Sequence, residues 1–184
     1  MLDSRNPDPF GRAVNIPIEL YEAIRGRYFI GYADNLTMKN GSSAWARLYN
    51  PRQSGVNLYV SAWNVTTMSD LPFRAQFWFN ADPPGNAVES SLVTPSNIAA
   101  RPQPRPRVRL QMASEAVGDP ECGLKIFVRR GESGTTVSGT ENGRLICPPG
   151  SSFLIFVTLM DHPCASGSAR IGFEWWERNV SRRI

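Results

Sequence analysis

The sequence predicts an all-β fold: an antiparallel β-sandwich of jelly-roll or Greek-key type, with one short N-terminal helix. Three observations carry that prediction. From residue 27 onward, apolar residues recur mostly at every second position, as in strands buried on one face. The 15 Gly and 15 Pro, joined by Asn, punctuate the chain at intervals that suit short strands. The irregular stretch over residues 81–107 is too long for a hairpin loop, and it suits a crossover between two sheets.

Taken in order, residues 1–15 hold Pro7, Pro9 and Gly11 among scattered charges, so they read as a flexible N-terminal arm able to dock on a neighbour. Residues 16–184 read as a single β-sandwich domain. Pro17, the acidic Glu19 and Glu22, Arg25 and Gly26 are the start and stop signals of a short helix. Residues 27–32 and 44–49 follow as strands around the Asn40-Gly41 turn, closed by Asn50-Pro51. Val56, Leu58, Val60 and Ala62 form one strand's apolar face, and Phe73, Ala75, Phe77 and Phe79 another's. Alternation then turns Asn57, Tyr59, Ser61 and Trp63 outward, together with Trp78. The proline ladder over residues 101–107 reads as extended polyproline feeding the strand of Val108, Leu110 and Met112. Residues 124–129 make a strand, and residues 131–143 hold turns with a short edge strand. The continuous apolar run over residues 153–160 reads as a central strand covered on both faces. The last strand, residues 169–177, places Ala169, Ile171, Phe173 and Trp175 on one side, and Arg170, Gly172, Glu174 and Trp176 on the other.

Composition narrows the function. The chain has 184 residues, a net charge of +4, one histidine (His162) and three cysteines. That inventory leaves little for a His-rich metal site, a Ser-His-Asp triad or a Cys-His dyad, so no enzyme activity, metal or cofactor is expected. The charge is mild for nucleic-acid binding, and no nucleic-acid partner is expected. No apolar run reaches the roughly 20 residues of a bilayer-crossing helix. The first residues show no secretory pattern, so synthesis in the cytoplasm is expected, with spore or cell surface reached only after release. Lys39 and Lys125 are the only lysines against 18 arginines. An Arg-rich surface suits burial in contacts, and ordinary compositional drift explains it equally well.

The candidate site residues are the aromatics Tyr59, Trp63, Trp78 and Trp176, which strict alternation turns away from the core. Such a set suits a subunit interface, a stacking platform for sugars, or a second core beneath the crossover or the arm. Cys122, Cys147 and Cys164 lack CxxC spacing. Reduced buried thiols are the simplest reading, with cross-linking between subunits as the sharper one. Glu174 and Glu177 stand three apart on a strand and so face opposite ways, which rules against a glycosidase pair. The sequons at Asn35, Asn40, Asn64 and Asn179 read as turn chemistry and chance.

The segments at residues 27–32, 41–51 (Gly41-Ser42-Ser43-Ala44-Trp45 through Asn50-Pro51), 54–60 and 77–85, with the closing Phe173-Glu174-Trp175-Trp176-Glu177, resemble an uncharacterised domain-of-unknown-function family of small all-β proteins from spore-forming Gram-positive bacteria. The resemblance runs from about Pro17 onward. It implies a small bacterial all-β protein and carries no activity. The leading functional expectation is a non-enzymatic structural subunit. It would self-assemble with copies of itself into an oligomer, filament or surface layer, anchored by the four aromatics. A carbohydrate-binding module using the same aromatics on a glycan is the alternative.

Overall fold

Pro17, at φ −55° and ψ 146°, sets the entry to α1 (Ile18–Ile24), and Gly26, at φ +69°, ends it. The structure, a computed structural model, describes residues 15–160 and 166–180. The expected arm therefore lies outside the described residues except for Asn15, as do His162 and Cys164. The helix is held by charge: Glu22 is its buried residue, and its carboxylate accepts from Arg27 Nε at 2.6 Å and Arg178 Nε at 2.6 Å.

Among the described residues eleven strands follow: β1 (Tyr28–Met38), β2 (Ser43–Tyr49), β3 (Val56–Met68), β4 (Phe73–Phe79), β5 (Val88–Glu89), β6 (Val93–Pro95), β7 (Arg109–Ala116), β8 (Leu124–Gly131), β9 (Thr136–Cys147), β10 (Ser152–Leu159) and β11 (Gly167–Asn179). A five-stranded sheet runs β6-β1-β11-β3-β9 and a six-stranded sheet β5-β7-β2-β10-β4-β8. All pairings are antiparallel. Set β5, β6 and β7 aside and eight strands remain. The first of these pairs with the last, the second with the seventh, the third with the sixth and the fourth with the fifth. That is a long hairpin rolled so that successive pairs fall in alternate sheets, the jelly roll the sequence predicts.

Burial follows from the pleat. Phe29, Phe73, Phe77, Phe153, Phe173 and Trp175 fill the space between the sheets. β10, the continuous apolar run, lies at the centre of its sheet. Its Phe153, Ile155 and Val157 face this core, while Leu154 and Phe156 join Trp45, Ala81, Ala113 and Ala116 in a second cluster outside the sheet.

The stretch over residues 81–107 departs from expectation in two ways. It contains β5 and β6, and it crosses twice: from β4 and β5 of the six-stranded sheet it passes to β6 on the edge of the five-stranded sheet, then returns to β7 of the sheet it left. On the way it roofs the second cluster, where Trp45 Nε1 donates to the Pro84 carbonyl at 2.7 Å. The segment expected to hold turns and a short edge strand is also mostly strand, because β9 runs for 12 residues along β3.

Candidate ligand-binding site

The four aromatics marked from alternation separate in space. Trp63 is 3% exposed and sits in the main core, its ring 4.4 Å from that of Phe77. Its outward placement is corrected by a bulge. Val60 and Ala62 of β3 break register with both β9 and β11, so Ser61 is an extra residue and every side chain beyond it changes face. Trp176 does point outward, yet it is 3% exposed: Tyr28 and Tyr59 stack beside it, at 6.2 and 5.6 Å, and β9 folds over it. The cover is Asn142-Gly143, both at positive φ, and a Cβ on Gly143 would stand 2.2 Å from the Trp176 ring. Tyr59 is half-buried in that stack. Trp78 is half-buried on the opposite sheet, packed on the second cluster, with Lys125 Nζ 4.6 Å from its ring centre. These are largely interior or self-covered rings, and they do not form one exposed platform.

Of the cysteines, Cys122 is exposed and Cys147 is buried, both as free thiols, and burial pushes the Cys147 thiol up to about 12. Cys164 lies outside the described residues. Among the described residues, no group of three or more His, Cys, Asp and Glu is placed to hold a metal. No helix among them is long and apolar enough to cross a membrane.

What the outer face of the five-stranded sheet does offer is a gap. Cross-strand pairing arranges its side chains in rows. The first is Tyr28, Trp176 and Tyr59; the next holds Ile30, Glu174 and Ala62; the third is Tyr32, Gly172 and Asn64; beyond it Arg170 stands beside Thr66. Gly172 brings no side chain to the centre of the third row, where the Asn64 amide leans over its backbone. The resulting depression has a volume of about 300 Å³ and is lined by Ile30, Tyr32, Asn64, Arg170 and Gly172. Glycine inside a strand often marks a place where another group must come close. Here a Cβ at Gly172 would meet the Asn64 amide at 2.7 Å.

The groups around the gap are held in place. The Tyr32 backbone donates to the Leu92 carbonyl at 3.1 Å, and its own carbonyl accepts from Ser90 Oγ at 2.9 Å, leaving the ring 40% exposed. Arg170 grips Asp34 through two bonds, Nε to Oδ1 at 2.8 Å and Nη2 to Oδ2 at 2.9 Å. Hydrogen bonding to Arg170 holds the Asp34 carboxyl below the ordinary carboxylate value. Glu174 accepts from the Tyr28 hydroxyl at 2.7 Å. Burial, reinforced by that acceptor, pushes the Tyr28 phenol well above its usual value.

Tyr32, Asn64, Arg170 and Gly172 were not singled out from the sequence as a site. The available signal was an outward-facing glycine at mid-strand, between Arg170 and Glu174. Its meaning depended on Tyr32 and Asn64, which only the register brings beside it.

Comparison with curated proteins and with solved structures returns no match in either case. The model of a family of unknown function, DUF6143, matches residues 8–182. With nearly the whole length covered, this chain belongs to that family of unknown function.

Proposed function

We propose that this protein is a non-enzymatic binding module that takes a saccharide on the outer face of its five-stranded sheet. The supporting observation is the row Tyr32-Gly172-Asn64, in which a missing side chain opens a recess between an exposed aromatic ring and an amide. A sugar presents an apolar ring face and hydroxyls that both donate and accept. Tyr32 and Ile30 suit the first; the Asn64 amide, the Arg170 guanidinium and the Glu174 carboxylate suit the second. Because Arg170 is clamped by Asp34, little order is lost when a ligand seats against it.

The test is a glycan array probed with wild type, Tyr32→Ala, Gly172→Val and Trp78→Ala. Binding should fall at least about tenfold for Tyr32→Ala and Gly172→Val, a loss of about 1.4 kcal/mol or more. Trp78→Ala, on the opposite sheet, should keep it. Loss with Trp78→Ala but not with Tyr32→Ala would reject the recess.

A second reading is self-association into an oligomer, filament or layer at a cell or spore surface, and one observation favours it. The two long edge strands, β8 and β9, meet at the same side of the sandwich, whereas the far edges, β5 and β6, have two and three residues. Long unpaired edges are templates for a second chain. Lys125, Arg129 and Arg130 line β8, so pairing there should strengthen with salt. Light scattering that gives a monomer mass at both low and high salt would reject this reading.

A further inference from the structure

The outer face of the six-stranded sheet carries a second depression, of about 290 Å³, lined by Arg74, Gln76, Trp78, Asp119 and Lys125. It lies on the other side of the sandwich from Gly172, and nothing in the saccharide reading requires it. Pairing of β4 with β8 sets Arg74 directly opposite Arg130, and Lys125 opposite Trp78. Like charges facing each other across a ladder are destabilising. Arg130 has Glu132 at 3.4 Å, but among the described residues no carboxylate forms an ion pair with Arg74 or Lys125. Between them lies Gln76, a polar side chain 4% exposed that lines the depression, and beside it the Trp78 indole N–H is buried with no hydrogen-bond partner among the described residues. A buried donor with no partner is costly unless something supplies one. Among the described residues Asp119 is the single acid in the lining.

We propose that this depression is a binding site for an oxyanion carried on a hydroxylated frame, a carboxylate or phosphate ester of a polyol. The anion is held by Arg74 and Lys125, with Arg130 adding charge from the next strand and the Gln76 amide donating. The Trp78 ring forms a wall already stacked by Lys125. Asp119 repels a bare anion and accepts from a ligand hydroxyl, which is why the hydroxylated frame belongs to the proposal.

The test is titration of the wild-type protein, followed by the Trp78 indole N–H resonance, with inorganic phosphate, glucose 6-phosphate and glucose, against sodium chloride at matched ionic strength. Saturable shifts are expected with glucose 6-phosphate, weaker ones with inorganic phosphate, and none with glucose or chloride. Arg74→Gln and Lys125→Gln should each weaken glucose 6-phosphate at least tenfold. Asp119→Asn should bring the two phosphates closer in affinity. Without any ligand, Arg74→Gln should raise the melting temperature, because it removes the facing charge. Shifts reproduced by chloride, or affinity unchanged in Arg74→Gln, would overturn the proposal, and an adventitious response to ionic strength only is what those results would mean.

Discussion

Glu177 is a buried carboxylate whose environment pulls in two directions. It accepts from the backbone N–H of Arg107 at 3.0 Å, from that of Val108 at 3.0 Å and from Trp175 Nε1 at 3.2 Å, so it ties the end of the proline segment to the last strand. Burial nevertheless wins, and the carboxyl titrates above its ordinary 4.5. As the folded value lies above the unfolded one, the folded chain holds its proton longer as pH rises. Stability from this group is greatest below 4.5 and is lost as pH climbs through the raised folded value. In Glu177→Gln that pH-dependent component should vanish from unfolding free energies measured across this window. Glu177→Ala, which strands three buried donors, should cost about 3 kcal/mol at neutral pH. An unchanged pH slope in the Gln variant would show that the group titrates normally. The thiols separate just as clearly: in a Cys164→Ser background, a thiol-reactive dye should label Cys122 in the native protein and reach Cys147 only on unfolding.

At the scale of single strands, the bulge at Ser61 decides which aromatic belongs to the interior. Because Trp63 packs on Phe77 and Phe127 between the sheets, Trp63→Ala should cost about 3–5 kcal/mol and lower the melting temperature sharply. A surface aromatic would lose almost nothing. The β9 irregularity has a matching signature. Gly143→Ala introduces a side chain at φ +72° and pushes it into Trp176, so chemical denaturation should show a loss of about 2 kcal/mol or more. β10 needed no register to be read, since an unbroken apolar run buried on both faces identifies itself. β3 did need it. Its period-two pattern was legible on each side of Ser61, but where the phase slips is set by β9 and β11, far away in sequence. The short helix was legible for the opposite reason: its signals, Pro17 and Gly26, are local.

For the molecule as a whole, the jelly roll explains where binding chemistry is available. Each sheet has a second face turned away from the shared core, and the chain treats the two outer faces differently. Residues 81–92 and the second apolar cluster cover one half of the six-stranded sheet, leaving β4 and β8 with their cations. The five-stranded sheet covers Trp176 with Asn142-Gly143 and leaves a depression beside the buried Gly172. Two-residue alternation and turn spacing made the sandwich legible. The recess was not, because it is an absence between residues at positions 32, 64 and 172. Chemical-shift mapping of the backbone amides with an array-selected saccharide examines the recess at residue resolution. Perturbations should concentrate at residues 30–32, 64 and 170–174 and disappear in Gly172→Val; perturbations confined to β8, to α1 or to no surface at all would contradict a saccharide seat at Gly172.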